Sequence, residues 1–469
     1  MTSATDVRVG EVTGIWLRHL VSLYIPGASL VFLWTGPHPW YIALAFMWPL
    51  VVAHQLDCSG RTEQRGPNEA LPAWPFDALV YTLVGLQFWI IWETVQLFAV
   101  QGIFSMDMVM VFLLIGGSSG FSIITAHELI HRRGRVDPLL GRLLLCTVLY
   151  EHFYTEHLRG HHVRVGTPED PATARFGESY EGFFRRTVPA QWRSAWRLEK
   201  HRLGDADMRP FDRRMLQHRM LHGLLLEWGL AGAIWIAFGP AAFVAFLAQA
   251  FMAVRLLEAV NYFEHWGLER TSPRVRPMDS WDTHSWFTYY GLIGLSRHAD
   301  HHAAPTRPYQ QLRTWKEAPL LPYGYVGTID LVMAQNQEFQ ELATQELAKH
   351  RLAPFASGES DSAEAARTRL SEAQPARRRP WLPPRVAMIV IPALLLLVTA
   401  AGVEYETGGS LGLATRLVLH GWVLLALAGF LLVARRLRDK TGHESLAFGV
   451  GFAVLIGLGA LGEIALGWL

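Results

Sequence analysis

Closely spaced histidines are the residues of this chain best suited to do chemistry. The sequence contains 20 histidines, and nine of them fall into four short clusters, HELIH, HLRGHH, NYFEHWG and SRHADHH. Neutral imidazole binds zinc, copper, iron and nickel, so the clusters predict a metal site. The nine residues are His127, His131, His157, His161, His162, His265, His298, His301 and His302.

The spacing within the clusters is typical of one helix face. Residues i and i+4 lie one turn apart on the same side of a helix, so His127 with His131, and His157 with His161, are each expected to face one centre. The cluster from His298 to His302 is expected to do the same. A single zinc takes about four ligands, whereas nine imidazoles suit two metal ions with five or six coordination positions. Ligand type does not choose the metal, but open positions at a bilayer favour iron and oxygen chemistry.

The HELIH stretch alone permits another interpretation, because two histidines one turn apart with a glutamate between them can form a zinc protease site. That site would leave most of the other clustered histidines without a role. We therefore expect Glu128 to orient a metal-bound imidazole by a hydrogen bond, since such imidazoles usually have a partner of this kind. Glu264 and Asp300 lie beside or between predicted ligands and are candidates for the same role.

The elements that position these histidines are predicted to be membrane helices. The chain has 469 residues, of which 51% are hydrophobic, including 18 Trp and 24 Phe. Apolar runs near the length of roughly 20 residues that crosses a bilayer occur at 14–34, 39–56, 77–100, 106–126, 219–239 and 241–261. Three more follow at 386–404, 412–434 and 445–469.

Composition divides the chain into three predicted segments. Residues 1–350 form the histidine-bearing membrane domain, 351–385 are rich in Ala, Ser, Pro and charge and indicate a flexible linker, and 386–469 form a three-helix appendage. Lys and Arg concentrate in alternate loops, which places the histidine clusters on the cytoplasmic side of the membrane. The net charge of +1 gives no indication of nucleic acid binding.

The cluster spacing resembles the histidine boxes of the membrane fatty acid desaturase and hydroxylase superfamily. The stretches HELIHRRGR, EHLRGHHVRVGTPEDPATARFGES, NYFEHWGLER and LSRHADHHAAPTRPYQQLR are more specifically similar to those of the integral-membrane alkane 1-monooxygenases. NYFEHWG is the distinguishing element, because the desaturase boxes lack it. The resemblance covers about residues 10–340.

This resemblance implies an all-α fold, with a six-helix transmembrane bundle and a cytoplasmic histidine-rich diiron cap. It implies that the nine histidines hold two iron ions and that dioxygen is a co-substrate. The implied activity is hydroxylation of the terminal methyl group of medium- or long-chain alkanes. The implied electron donors are rubredoxin and an NAD(P)H-dependent rubredoxin reductase, in a bacterial inner membrane.

Two features depart from the family pattern. The chain has only Cys58 and Cys146, too few for a fused rubredoxin, so the donor is expected to be a separate protein. The three-helix appendage is the other departure. The alternatives are a desaturase, fatty-acid omega-hydroxylase or decarboxylase of the same superfamily, and a protein that only stores metal.

Two further sets of residues have more than one interpretation. The small residues from Gly116 to Gly120 can line an apolar substrate tunnel or simply allow close helix packing. Basic residues near the clusters can attract an acidic redox partner or anchor the cytoplasmic ends of the helices. These are Arg132, Arg133, Arg135, Arg159, Arg164 and Arg297.

Overall fold

The fold is all helical over the part of the chain that the structure describes. The computed structural model describes residues 13–66, 71–355 and 363–374. Within these ranges the only β-type pairings are isolated bridges, Thr62 with Ser285 and Asp282 with Leu320. The predicted all-α membrane class is confirmed. The three apolar runs predicted between 386 and 469 lie outside the described residues.

Fourteen α-helices are named here in chain order. The first seven are α1 (Thr13–Thr35), α2 (Trp40–Ala45), α3 (Trp48–Asp57), α4 (Trp74–Val100), α5 (Met106–His131), α6 (Val136–Cys146) and α7 (Phe153–Glu156). The others are α8 (Tyr180–Arg202), α9 (Arg219–His265), α10 (Trp286–Gly291), α11 (His298–Ala303), α12 (Tyr325–Ala334), α13 (Asn336–Lys349) and α14 (Ala363–Ala373). Short 3₁₀ turns lie at Leu20–Leu23, Arg213–Gln217, Pro277–Asp279 and Tyr309–Gln311.

Four of these helices, α1, α4, α5 and α9, are long and apolar enough to cross a bilayer. Their outer surfaces carry large exposed apolar side chains, such as Trp92, Trp235 and Ile236, the last of which is 85% exposed. In water such a surface would be unfavourable, so these side chains face lipid. The predicted run at 39–56 forms two short helices, α2 and α3, and the count of six crossings remains a prediction.

Helix α9 reverses direction in its middle. It has 47 residues, and Gly239 interrupts it with φ 85° and ψ 179°, a backbone conformation that is essentially restricted to glycine. The Trp235 and Phe243 ring centroids lie 4.9 Å apart across the break, and Leu224 lines the same crevice as Val254. In one straight helix Leu224 and Val254 would be about 45 Å apart. The segment is therefore a helical hairpin.

Helix α5 packs tightly against the second arm of this hairpin. A Cβ atom added to Gly116 would lie 2.6 Å from the Cβ atom of Met252, and one added to Gly120 would lie 3.1 Å from Leu256 Cδ1. Glycine at these positions lets the two backbones approach closely. Because α5 ends at His131 and α9 ends at His265, the close packing brings their histidine-bearing ends together.

Part of the segment predicted to be a flexible linker forms a helix. Leu370 of α14 is 4% exposed and belongs to the same buried cluster as Phe339 and Tyr262. Gln374 donates a hydrogen bond to Gln340 Oε1 at 2.8 Å. This stretch was predicted to be flexible because it has few aliphatic residues. The burial of Leu370 in this cluster nevertheless holds α14 against the rest of the protein.

Candidate metal centre

The structure brings all nine predicted histidines together in two adjacent groups of ligand nitrogens. Within each group, one nitrogen atom from every histidine lies within 4.8 Å of the others. The first group, called group A, contains His127, His131, His157, His162 and His301. The second, group B, contains His161, His265, His298 and His302.

The assignment of histidines to groups differs from the predicted helix faces. His157 and His161 were expected to face one centre, but His157 belongs to group A and His161 to group B. The cause is local, because residues His157–His161 form a π-helical turn. Its wider i to i+5 repeat aligns His157 with His162 and turns His161 away.

The separations between ring nitrogens suit a shared metal ion. Two nitrogens that each lie about 2.1 Å from a metal are about 3.0 Å apart at a right angle and about 3.4 Å apart at the tetrahedral angle. In group A the Nε2 atom of His157 lies 3.0 Å from that of His131 and 3.0 Å from that of His162. In group B the Nε2 atom of His298 lies 3.2 Å from that of His265 and 3.0 Å from that of His302.

Hydrogen bonds between imidazoles do not explain this geometry. Each ring nitrogen has either one hydrogen or one lone pair, and so forms one good hydrogen bond. His157 Nε2 and His298 Nε2 each have two close nitrogen neighbours. A metal ion accepts a lone pair from every imidazole at once, and these residues therefore fit one.

Burial keeps the imidazoles in the form that binds metal. For His157, His162, His298, His301 and His302, which lie outside the membrane-spanning helices, burial lowers the pKa well below its usual value. Charge on the neighbouring imidazoles would lower these pKa values further. These side chains are therefore neutral near pH 7, with lone pairs available for coordination.

A carboxylate orients one of the group B histidines. His161 Nδ1 lies 2.9 Å from Asp170 Oδ2, which also accepts a 2.6 Å hydrogen bond from Thr173 Oγ1. His298 Nδ1 lies 3.3 Å from Glu264 Oε1 but forms no hydrogen bond with it. Asp170 was not a predicted site residue. The available signal was the pair of carboxylates, Glu169 and Asp170, between the prolines of TPEDPATA, a few residues after the HLRGHH cluster.

The other two candidate carboxylates have different partners. Glu128 accepts a 3.1 Å hydrogen bond from Arg132 Nε, and Arg132 also pairs with Asp77 at 2.9 Å. Asp300 accepts hydrogen bonds of 2.9 Å from Trp315 Nε1 and from the backbone N–H of Arg313, and it pairs with Arg307.

One of the predicted basic surface residues is buried. Arg297 is 2% exposed, stacks over the Tyr289 ring at 4.1 Å and donates a hydrogen bond to the backbone oxygen of Leu312. It therefore cannot contact a docking partner directly. Arg133, Arg135 and Arg159 are exposed.

A cavity lies against both groups of histidines. His127 and His157 of group A and His298 of group B line it, together with Glu264 and Asn261. The other lining side chains are apolar apart from the small Gly120, and none of the described lining residues is Lys or Arg. The site can therefore present an apolar chain to both metal positions.

Comparisons with known proteins match the histidine-bearing part of the chain. A family model described as fatty acid desaturase matches residues 106–331. An alkane 1-monooxygenase 1 of Pseudomonas aeruginosa is 41% identical over 45% of this chain and 56% of its own length. An alkane 1-monooxygenase of Acinetobacter baylyi is 38% identical over 48% of this chain and 55% of its own.

A third relative is matched over more of its length. It is alkane 1-monooxygenase 1 of Alcanivorax borkumensis, which is 31% identical over 66% of this chain and 80% of its own length. With the first two relatives, by contrast, the match spans a little more than half of their length.

Proposed function

Because this chain belongs to the alkane 1-monooxygenase family, within the fatty acid desaturase superfamily, we propose that it hydroxylates the terminal methyl group of a medium- or long-chain alkane. The observation that carries this proposal is the convergence of nine imidazoles at an apolar cavity. An alkane has no polar group to recognise, so its position must be set by the shape of such a cavity.

Two iron ions are the proposed cofactor. Group A would hold one and group B the other, and the iron would supply the activation of dioxygen. The two groups differ in coordination, because group A offers five imidazoles and group B offers four. Five- and four-imidazole sets suit iron and leave positions open.

The protein's own part is to bind, orient and keep water out. The cavity walls align the chain so that only its end reaches His127, His157 and His298. Asp170 fixes the ring of His161, which holds one proposed ligand of group B in a single orientation. The overall reaction takes one alkane, dioxygen, two electrons and two protons to the 1-alcohol and water.

The electrons are proposed to come from a separate rubredoxin, itself reduced by an NAD(P)H-dependent reductase. The exposed Arg133, Arg135 and Arg159 follow or interrupt the histidine clusters and suit an acidic partner. We place the histidines on the cytoplasmic side of a bacterial inner membrane, as the distribution of Lys and Arg indicates.

A fatty-acid substrate is the second candidate, and the cavity disfavours it. An ionised carboxylate buried in an apolar site needs a cation or several hydrogen-bond donors. Among the described residues that line the cavity there is no Lys or Arg.

The test is a product assay. Cells that express the chain with rubredoxin and its reductase would be fed octane, decane, hexadecane and the corresponding fatty acids, and products would be identified by gas chromatography. We expect 1-alcohols, no product with the His265→Ala variant, and about two irons per chain in the purified protein. Product from fatty acids alone would overturn the alkane assignment, and one zinc per chain without iron would overturn the diiron centre.

A further inference from the structure

A second, smaller cavity lies beside the first, and the two share Phe121, Ile124 and Leu292 as lining residues. Two buried polar atoms on residues that line this second cavity lack a hydrogen-bond partner, Gln87 Oε1 and Ser118 Oγ. Gln87 is 2% exposed and Ser118 is 1% exposed. This second cavity is called the distal cavity below.

The orientation of the Gln87 amide is fixed by its neighbours. Its nitrogen lies 3.1 Å from Ser119 Oγ and 3.1 Å from Thr147 Oγ1. The Thr147 hydroxyl donates its hydrogen to the backbone oxygen of Leu144 at 2.6 Å, so toward Gln87 it can only accept. The nitrogen must therefore face Thr147, and the carbonyl oxygen Oε1 is left without a donor.

This arrangement is costly without a ligand. Gln87 lies at the middle of α4, at membrane depth, where polar side chains are rare and usually functional. A buried acceptor without a donor costs about 1–3 kcal/mol. The distal cavity is therefore built to receive a group that donates a hydrogen bond to Gln87 Oε1 and can also pair with the Ser118 hydroxyl.

The distance to the histidines sets the length of the ligand. Ser118 and His127 are nine residues apart on α5, which corresponds to about 13.5 Å along the helix. An extended hydrocarbon chain with C–C bonds of about 1.5 Å advances about 1.25 Å per carbon. A chain of about ten carbons therefore reaches from the distal cavity to the first cavity.

We propose that the distal cavity binds the hydroxyl end of a 1-alkanol of about ten carbons, whose far methyl group lies at the histidines. The alcohol donates to Gln87 Oε1 and accepts from Ser118. A carboxylate cannot replace it, because a carboxylate only accepts and none of the described residues lining the distal cavity carries a charge. This inference rests on the proposed hydroxylase function and adds a second class of substrate to it.

The product would be an α,ω-diol. The C–H bond of the far methyl group is broken and a C–O bond forms with one atom of dioxygen. The other oxygen atom leaves as water, with two protons from solvent and two electrons from the external electron-transfer protein. The hydroxyl group bound in the distal cavity is unchanged.

The experiment compares decane, 1-decanol and decanoate with the full-length protein. We expect 1,10-decanediol from 1-decanol and no ω-hydroxylated product from decanoate. Gln87→Leu should raise the ratio of the KM for 1-decanol to the KM for decane about fivefold to tenfold, the value of one hydrogen bond. Ser118→Ala should act in the same direction without disturbing the bonds of Gln87 to Ser119 and Thr147.

Matched controls are Thr94→Val on α4 and Ser29→Ala on α1. Their hydroxyls are buried but already donate to the backbone oxygens of Ile90 and Ile25, and neither residue lines the distal cavity. Both controls should keep the wild-type ratio of the two KM values. Iron content, measured for every variant, shows that each one has folded.

The outcomes separate this inference from the proposed function. Absence of product from decane with the wild-type protein contradicts the alkane hydroxylase function. Decane turnover without diol, or diol formation that neither Gln87→Leu nor Ser118→Ala weakens, overturns the distal site and leaves an ordered water as its occupant.

A binding measurement tests the site even if no hydrocarbon is turned over. In detergent, 1-decanol should raise the unfolding temperature of the wild-type protein more than decane does at equal concentration. That difference should disappear in Gln87→Leu and Ser118→Ala and persist in both controls. Equal stabilisation by the two compounds contradicts the proposal.

Discussion

At the scale of single side chains, His161 is held differently from the other histidines of group B. Its Nδ1 atom pairs with the Asp170 carboxylate at 2.9 Å. The Nδ1 atoms of His265, His298 and His302 in the same group are buried without a hydrogen-bond partner. The ring of His161 is therefore the more strictly oriented one, and Asp170 is the carboxylate on which group B should depend.

Asp170 allows a direct test of this difference. We expect Asp170→Asn to weaken metal binding at group B about 10- to 100-fold, because the orienting carboxylate of His161 is lost. The measurement is the iron retained per chain during titration with a chelator. Glu128→Gln is the matched control, since the Glu128 carboxylate bonds to Arg132, and it should retain iron as the wild type does. Equal loss of iron in both variants would contradict a specific role of Asp170.

Glu151 predicts a pH dependence of folding stability. Burial raises the pKa of Glu151 from 4.5 to about 7, although the Arg142 guanidinium lowers it in part. Between these two values the folded protein holds a proton that the unfolded chain has released, so stability falls as pH rises and levels off above about pH 7. Thermal unfolding in detergent across this range should show the decrease, and Glu151→Gln should reduce its slope.

Glu199 provides a control with the opposite sign. Burial alone would raise its pKa, but hydrogen bonds from Arg202 and from the backbone N–H of Arg219 lower it. Its contribution is therefore present at neutral pH and is lost on acidification. If Glu199→Gln and Glu151→Gln changed the pH profile in the same way, the assignment to Glu151 would be wrong.

The sequence identified the nine histidines that the structure brings together, but not their grouping or all their partners. Nine histidines stand out because clustered imidazoles near membrane helices have few other uses. Whether His161 or His162 joins His157 in group A depends on a single π-helical turn. The spacing of the histidines does not predict that turn. Asp170 reaches His161 through a loop, and loop conformations follow from tertiary contacts.

At the scale of secondary-structure elements, the hairpin of α9 determines where His265 lies. Both arms of the hairpin are apolar, and the reversal at Gly239 returns the chain to the side of the membrane on which α9 begins. The sequence indicated this arrangement, since two adjacent runs flank the Gly-Pro pair at 239 and 240. The break between α2 and α3 was not predicted, although Pro49 in the first turn of α3 was the available signal.

Gly239 is the position at which this arrangement is most easily tested. Gly239→Ala should destabilise the protein by about 1–3 kcal/mol, because φ 85° and ψ 179° are strained for any residue with a Cβ atom. Gly229→Ala in the same helix is the control, because a Cβ atom there meets no atom within 4 Å. The unfolding midpoint in detergent measures both. Equal midpoints for the two variants would contradict the hairpin geometry.

At the scale of the whole molecule, the histidine centre and its partners lie within residues 13–374. The membrane helices were predicted from the apolar runs of the sequence, and the all-helical class from the resemblance of the histidine clusters. The docking of α14 was not predicted, since it depends mainly on the burial of Leu370. The predicted division into a membrane domain, a linker and an appendage at 386–469 remains a prediction.

Truncation tests that division. A chain that ends after Gln374 should bind iron and hydroxylate decane as the full chain does, because it keeps α14 and all nine histidines. A chain that ends after Phe355 should unfold at a lower temperature, because it loses Leu370 and the hydrogen bond between Gln374 and Gln340. Loss of iron from the longer of these chains would show that residues 375–469 contribute to the metal centre.

The histidines of the SRHADHH cluster are divided between groups A and B, and this division has a consequence for biosynthesis. His301 completes group A, while His298 and His302 complete group B. Both groups therefore need histidines from the same six-residue helix, α11. Neither can be complete while the ribosome has made only the first 297 residues. Complete metal insertion therefore follows synthesis of at least the first 302 residues. A chain whose synthesis stalls earlier would have incomplete sets of histidines and no complete iron site. It would therefore not generate oxidants before the substrate cavity has formed.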